Sequence, residues 1–225
     1  MDAKKGAIFT KYAKLISVAA RKGSDPTINF SLRMAIDKAK SANMPKENVE
    51  RAVKRGSGEL EGAQIEELNY EGIGPAKSQF IVKCLTDNKN RTAAEVRHIF
   101  ADAGGSLGSV LWNFDLKGMI LITAEELKSK NLIKNDDFEL ELIDAGTENF
   151  VEESEGATIY TKSEDMQKVK QFLDAKNIKT ESAEVEYVAK DHIQLSDEEK
   201  EKVRKFIEVL ENNEDITNYY TNVIV

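Results

Sequence analysis

The residues whose types could support catalysis are few in this chain, and they lack the spacing that catalysis needs. Histidine occurs only as His98 and His192, and neither has a second histidine at a metal-ligating interval such as His-x-x-x-His. The one cysteine, Cys84, can form neither an intrachain disulfide nor a zinc knuckle. Cys84 and His98 would be the nucleophile and base to consider. Because Cys84 alternates with Val82 in an apolar segment, we instead expect a buried structural thiol.

The glycine-containing signatures of nucleotide binding and hydrolysis are also absent from the sequence, which contains no GxSxG, P-loop or GxGxxG. Carboxylates are so abundant that no single pair of them is informative. We therefore expect no catalytic residue, no metal and no cofactor. An enzyme built on the α/β part of the chain is the least favoured of three hypotheses for its function.

The distribution of charge favours electrostatic binding of a polyanion. Residues 1–58 contain thirteen Lys/Arg and five Asp/Glu, a net charge of +8, which leaves nineteen and thirty-five, a net charge of −16, for residues 59–225. A basic segment attracts phosphates by counterion release, and an acidic remainder orients the encounter by repulsion. The alternative is that basic and acidic helices are sorted along the chain by chance.

Cations line one side of the first predicted helix, from about Lys4 to Lys22, when it is projected at about 100° per residue. A solvated face usually mixes both signs to form i,i+4 pairs, so a face without carboxylates favours a polyanionic partner over solubility alone. The candidate nucleic-acid-binding residues of the first three predicted helices are Lys4, Lys11, Lys14, Arg21, Lys22, Arg33, Lys38, Lys40, Lys46, Arg51, Lys54 and Arg55.

A second candidate contact lies where a strand ending at Leu85 leads into a helix. Free N–H groups at a helix start, with Lys89 and Arg91 beside them, would form an anion site. The alternative is a polar turn in which Asn90 or Thr92 caps the helix and both cations are solvated.

Three helices are predicted in the first segment. The first ends at Gly23, a C-cap residue. Asp25 and Pro26 supply an N-cap and a first-turn proline for the second, which continues to about Ala42. The third follows Pro45 and ends at Gly56, where a linker begins.

The remainder is predicted to alternate strands and helices. A strand at 77–85 precedes a helix at 90–103 with a Thr92–Glu95 capping box. A hairpin joins 109–114 to 118–123, and a Ser196–Glu199 capping box opens a helix that leads to a strand at 216–223. Without residues 124–190 this is the ferredoxin-like order β-α-β-β-α-β.

We therefore predict an α+β fold in which a three-helix domain precedes two ferredoxin-like α/β domains, one inserted in the other. The domains are residues 1–58, residues 59–123 with 191–225, and the inserted residues 124–190. Phe80, Trp112 and Phe114 are expected to fill the core of the sheet. Tyr219 and Tyr220 point to opposite faces of one strand, so at most one of them is fully buried.

The sequence has no apolar run of the roughly 18 residues that a membrane helix requires, and its N-terminus has no hydrophobic signal segment. With one cysteine, a reducing compartment fits. We expect a cytoplasmic protein with a nucleic-acid partner, without a membrane or small-molecule partner.

Several motifs resemble the YebC/PmpR family over nearly the whole chain. They are KGAIFTK (5–11), VAARKG (18–23), LRMAIDKAK (32–40), NMPKENVERA (43–52), YEGIGP (70–75), TDNKNRTAAEVR (86–97), the stretch 104–118 and LENNEDITNYYTN (210–222). Members of this family usually carry a basic Gly-His-Ser-Lys-Trp-type segment before the first motif, and we expect contacts made by that segment to be missing here.

The resemblance implies a three-domain protein with a helical first domain. Members are described as probable transcriptional regulators that bind DNA, whereas others, including a mitochondrial branch that activates synthesis of a cytochrome oxidase subunit, act on translation at the ribosome. We therefore expect a non-enzymatic regulator that binds DNA through its basic segment. The alternative is a ribosome-associated translation factor that contacts ribosomal RNA through the same surface.

Overall fold

The computed structural model describes residues 2–62 and 64–224, with side chains from residue 6 onward. The chain forms two units, Met1–Leu111 with Asp191–Val225, and Trp112–Lys190, each containing a four-stranded antiparallel sheet. Three helices precede the sheets, which confirms the predicted α+β class. In chain order the elements are α1 (Asp2–Ala20), α2 (Phe30–Ser41), α3 (Lys46–Gly56), β1 (Glu66–Ile73), β2 (Gln79–Thr86), α4 (Lys89–Asp102), β3 (Ser106–Leu107), β4 (Phe114–Thr123), α5 (Ala124–Ser129), α6 (Asp136–Ala145), β5 (Thr147–Glu153), β6 (Gly156–Lys162), α7 (Met166–Ala175), β7 (Ser182–Ala189), α8 (Asp197–Asn212) and β8 (Ile216–Thr221).

The three N-terminal helices share one small core. α1 packs against both α2 and α3, because its apolar residues recur at helical spacing and need partners on two sides. The buried members of this core are Ile16, Ala20, Leu32, Ala39, Met44, Val49 and Ala52. Removing their apolar surface from water is the main driving force that holds the three helices together.

The turn between α1 and α2 differs from its prediction. α1 ends at Ala20, and α2 starts after Asn29, whose side-chain oxygen accepts a hydrogen bond from the backbone N–H of Leu32 at 3.0 Å. The Asn29 amide also donates to the backbone oxygens of Ala19 and Gly23. The predicted capping role of Asp25 is wrong, because its carboxylate instead closes a local turn by accepting two hydrogen bonds from Thr27.

The first sheet has the strand order β3-β1-β2-β8 and is packed against α4 and α8. Its core centres on Phe80, which makes edge-to-face ring contacts with Phe100 and Phe206 at centroid distances of 6.4 and 4.9 Å. The buried positions of Phe80 and Phe114 and the Ser196–Glu199 capping box are confirmed.

Three further aromatic side chains differ in how far they are buried. Tyr220 is buried, and Tyr219 is partly buried against the core, as the alternation predicts. Trp112 is 64% exposed, so its predicted place in the core is wrong.

The elements of the first sheet follow a different order from the one predicted. β1 was not predicted, although Leu68 and Tyr70 alternate toward the core. The predicted hairpin at 109–123 is wrong, because residues 114–123 form the single strand β4. β4 pairs with β6 and β7 and so lies in the second unit, which leaves the order strand–strand–helix–strand–helix–strand around the first sheet.

The second unit has the ferredoxin-like order with β4 as its first strand. The strand order β5-β6-β4-β7 joins antiparallel neighbours throughout, as expected for this arrangement. The predicted boundary between residues 123 and 124 therefore falls after the first strand of the inserted unit. The predicted division of residues 1–58 from the first sheet stays a prediction.

Candidate nucleic-acid interface

Lysines on the cation face of α1 turn toward the acidic part of their own chain. Lys14 is buried, and its ammonium donates to the carboxylate of Asp215, which is fully buried. The same carboxylate accepts a 2.6 Å hydrogen bond from Thr92 Oγ1 and bonds of 3.1 and 3.3 Å from Arg91 Nη2. Lys11, one turn earlier on α1, is half-buried. We call Asp215 with Lys14, Thr92 and Arg91 the Asp215 network. In this network the positive charge of Lys14 is neutralised by a carboxylate of the same chain, so Lys14 does not need a nucleic acid as its partner.

The titration of these groups follows from their surroundings. Burial alone would raise the pKa of Asp215, but the hydrogen bonds from Lys14, Thr92 and Arg91 stabilise its charged form, and the pKa is lowered. Burial lowers the pKa of Lys11, while the carboxylate of Glu211 opposes this shift. Asp215 is therefore ionised at neutral pH and balances the buried charge of Lys14.

The exposed cations gather where the C-terminal ends of α1 and α3 meet. The two helices approach closely because Ser17 Oγ donates a 2.9 Å hydrogen bond to the backbone oxygen of Ala52 and because Gly56 has no Cβ to strike α1. We call the exposed cations at these ends and along the outer side of α3 the basic cluster: Arg21, Lys22, Arg51, Lys54 and Arg55.

The members of the basic cluster keep their charge unpaired. Within residues 2–62 and 64–224, none of them forms an ion pair; Arg21 donates a 2.5 Å hydrogen bond to the backbone oxygen of Ile65. Cations at helix C-termini also interact favourably with the helix dipole, which accounts for part of this placement. That effect does not require five exposed cations that form no ion pair within the described residues, so the cluster is the strongest candidate surface for phosphates.

The other predicted cations of this segment are dispersed. Lys40 and Lys46 are exposed and pair weakly with Asp37 and Glu50 along their own helices. Arg33 lies over the ring of Phe30 at 5.3 Å. Lys38 is exposed on α2, and the side chain of Lys4 lies outside the described residues.

The predicted anion site at the start of α4 is not supported by its surroundings. Asn88 caps the helix by accepting a 3.1 Å hydrogen bond from the backbone N–H of Arg91, so the predicted capping by Asn90 or Thr92 is wrong. Arg91 contacts three carboxylates, those of Asp215, Asp87 and Glu95. Lys89 lies 3.9 Å from Glu66. A phosphate here would meet these carboxylates first.

Cys84 is buried in the core of the first sheet, as predicted. Burial, reinforced by the negative charge of Asp215, raises the pKa of its thiol to about 12. In the folded protein at pH 7 to 8 we expect Cys84 to resist iodoacetamide, because the thiolate is the reactive form. The same thiol should react once the chain is unfolded in urea, as followed by mass spectrometry. Rapid alkylation of the folded chain would contradict a structural role.

The described residues meet the requirements of neither a metal site nor a membrane-spanning helix. They include no group of three or more His, Cys, Asp or Glu side chains that could hold a metal ion. No helix among them is long and apolar enough to span a bilayer. Asp215 is the residue that sequence reasoning missed. The one signal for Asp215 in the sequence is the side of α1 that carries only cations, because a buried cation on that side needs an anion either from the protein or from a partner.

The fold and the basic cluster define a class of α+β proteins with a helical N-terminal part and two sheet domains. Family models described as the TACO1/YebC protein N-terminal domain and the TACO1/YebC second and third domain match residues 1–59 and 65–223. The chain belongs to the TACO1/YebC family, which confirms the resemblance seen in its motifs.

Relatives and a solved structure agree with this assignment. A probable transcriptional regulatory protein of Thermoanaerobacter pseudethanolicus is 48% identical over 227 residues, covering 99% of this chain and 90% of the relative. One from Bacillus licheniformis is 46% identical over 226 residues, covering 99% and 92%. A crystal structure of a conserved hypothetical protein from Aquifex aeolicus is similar with a TM-score of 0.80 at 38% identity, covering 99% of this chain and 91% of that one.

Proposed function

We propose that the chain is a non-enzymatic regulator of gene expression that binds nucleic acid, in the first place DNA, through its basic cluster. The observation that carries the proposal is the separation of charge within the N-terminal helices. Lys14 forms an ion pair with Asp215, whereas the basic cluster is exposed and forms no ion pair with any described residue. The names of the relatives, probable transcriptional regulatory proteins, support a regulatory role.

The geometry favours contact with the phosphate backbone over reading of bases. Two helix ends and the outer side of α3 offer guanidinium and ammonium groups, which bind phosphate oxygens without regard to sequence. The net charge of −16 on residues 59–225 repels phosphates from the rest of the chain and so orients the encounter. Proposed contacts are therefore Arg21, Lys22, Arg51, Lys54 and Arg55, with Arg33, Lys38, Lys40 and Lys46 as outer contacts.

Replacing Arg21, Lys22, Lys54 and Arg55 together with alanine is expected to weaken binding to duplex DNA of any sequence. The slope of log K against log salt should flatten by up to about 0.9 for each phosphate that the variant no longer neutralises. Fluorescence anisotropy over a salt series measures both quantities, and circular dichroism confirms that the variant is folded.

The matched control replaces four exposed lysines of the second unit with alanine: Lys128, Lys130, Lys162 and Lys168. Both variants lose four positive charges, so a general effect of charge would weaken binding in both alike. Equal affinities for the wild-type chain and the basic-cluster variant would refute the proposal.

The alternative target is ribosomal RNA, whose phosphates would meet the same cations. Crosslinking in cells followed by sequencing of the recovered nucleic acid separates the two. Recovery of chromosomal DNA that depends on the basic cluster supports transcriptional regulation. Recovery of ribosomal RNA with the same dependence would replace DNA by the ribosome as the target.

A further inference from the structure

A groove lies beside the basic cluster, between the ends of α1 and α3 and the chain that follows α3. Its volume is about 560 Å³, within the range of pockets that hold drug-sized ligands. It is open to solvent on one side. Its lining includes Arg21, Arg55, Leu60, Glu61, Gly62 and Gln64.

Two arginines line this groove: Arg21, directly after the end of α1, and Arg55, in the last turn of α3. Arg21 is oriented by the hydrogen bond that its Nη2 donates to the backbone oxygen of Ile65, and its other side-chain nitrogens donate to no atom of the described residues. The Arg55 side chain lies along the chain after α3, where a Cβ at residue 62 would come within 2.9 Å of Arg55 Nε. Gly62 thus makes room for this arginine. Each guanidinium group is a planar fork of donors that can bind phosphate oxygens bidentately.

The rest of the lining is unlike a simple anion site. Leu60 is 41% exposed, although it lines the groove and has an apolar side chain. Gln64 adds an amide with both donors and an acceptor. Glu61 is also present, yet it forms no ion pair with either arginine in the part of the chain that the structure describes. The groove therefore combines cations, an apolar side chain and an amide, which suit the phosphate, the flat base and the polar base edge of a nucleotide.

We propose that this arginine groove binds a single unpaired nucleotide, with its phosphate held by Arg21 and Arg55 and its base against Leu60. The inference rests on the proposed nucleic-acid-binding function and names the element that the chain recognises. The nucleotide comes either from an unpaired stretch of a nucleic-acid strand or from a free mononucleotide, which share this chemistry. Unpaired bases are recognised by stacking on side chains and by their edges, which a duplex does not offer.

The test uses the full chain and variants that keep its charge. Arg21→Lys with Arg55→Lys preserves two cations but removes the forked donors. Arg204→Lys is the matched control, because Arg204 is an exposed arginine of α8 that belongs neither to the groove nor to the basic cluster. The probes are adenosine 5′-monophosphate, inorganic phosphate, a single-stranded oligoadenylate and a paired duplex of equal length. Binding is followed by calorimetry and by the arginine Nε–Hε signals in NMR spectra.

Adenosine 5′-monophosphate or the oligoadenylate is expected to shift the signals of Arg21 and Arg55 and to leave that of Arg204 unchanged. The double lysine variant should bind that probe about tenfold more weakly, since lysine cannot donate two parallel hydrogen bonds to a phosphate. Its salt slope on the duplex should stay as in the wild type, because no charge is removed. If only the oligoadenylate shifts the Arg21 and Arg55 signals, the groove binds a nucleotide within a strand. If adenosine 5′-monophosphate shifts them as well, the groove also accepts a free mononucleotide.

Three results would overturn the arginine groove. They are unshifted Arg21 and Arg55 signals with both nucleotide probes, undiminished binding by the double lysine variant, and inorganic phosphate binding as tightly as the nucleotide. Each leaves the proposed function intact if the four-alanine variant of the basic cluster still loses affinity for duplex DNA. If the four-alanine variant instead binds duplex DNA as tightly as the wild-type chain, the proposed function itself is refuted.

Discussion

Replacing Asp215 with alanine is expected to lower the free energy of unfolding by about 3–5 kcal/mol. The substitution leaves the buried ammonium of Lys14 without its counter-charge, and removing one partner of a buried ion pair costs much more than removing an exposed one. Thr92 Oγ1 loses its acceptor as well. Urea denaturation followed by circular dichroism measures the change.

Asp87→Ala is the matched control. Asp87 also contacts Arg91, but its carboxylate is exposed, so its loss should change stability by less than about 1 kcal/mol. Combining Asp215→Ala with Lys14→Met should cost less than the sum of the two single changes, because the residues interact directly. Additive losses, or a mild Asp215→Ala variant, would show that Lys14 reaches solvent when its partner is removed.

The same network makes stability depend on acid. Because the folded-state pKa of Asp215 is lowered, its contribution is fully present above the ordinary aspartate pKa of about 3.9 and is lost as the pH falls through the lowered value. The difference in unfolding free energy between the wild-type chain and Asp215→Ala should therefore shrink as the pH falls below about 4. A difference that stayed constant through this window would contradict the lowered pKa.

Replacing Gly56 with alanine is expected to destabilise the N-terminal helices by about 1–3 kcal/mol. A Cβ at this position would overlap the backbone oxygen of Ser17 and the methyl of Ala20, and a helix backbone cannot move aside as a flexible side chain can. Thermal unfolding measures the loss. The basic cluster and the arginine groove should also bind their ligands more weakly, because the ends of α1 and α3 are pushed apart.

Gly6→Ala is the control for the general effect of adding a methyl group to a helical glycine. Among the described residues, no atom outside its chain neighbours and the backbone of α1 itself lies within 4 Å of the Cβ that would be added at Gly6. Alanine is favoured over glycine inside a helix by about 0.5–1 kcal/mol, so this variant should be more stable. If both variants gained stability, the close approach of α1 and α3 at Gly56 would be refuted.

The sequence predicted the basic character of the N-terminal helices but not which cations are available. Helical projection places Lys14 and Arg21 on the same arc, although only Arg21 is exposed. The difference arises because the anion that pairs with Lys14 is 201 positions away in the sequence. A pattern of neighbouring residues cannot predict a contact between residues so far apart in the sequence. Thr92 gives a parallel case, because it fits a capping-box spacing while its hydroxyl is used by the same remote carboxylate.

The strands were predicted well where apolar residues are continuous and poorly where glycine or acidic residues interrupt them. β2 is predicted from its run of apolar residues. β1 is not, because its carboxylates outnumber the core-facing residues Leu68 and Tyr70, whose alternation is the one sign of a strand. Gly118 was interpreted as the start of a new strand. In the structure it lies within β4, where the side chains of Thr161 and Met166 fill the space that a Cβ would take.

The long separation between Lys14 and Asp215 has a consequence for the order in which this chain acquires its structure during synthesis. The N-terminal helices are made first and make mainly local contacts with one another, which form quickly. Lys14 then has no counter-charge until the segment with Asp215 and β8 is complete. Meanwhile the second unit can close, since the backbone N–H of Lys190 donates to the backbone oxygen of Asn113 near its two ends. The unit that carries the basic cluster is therefore complete only after residues 112–190, which form the other unit, have been synthesised.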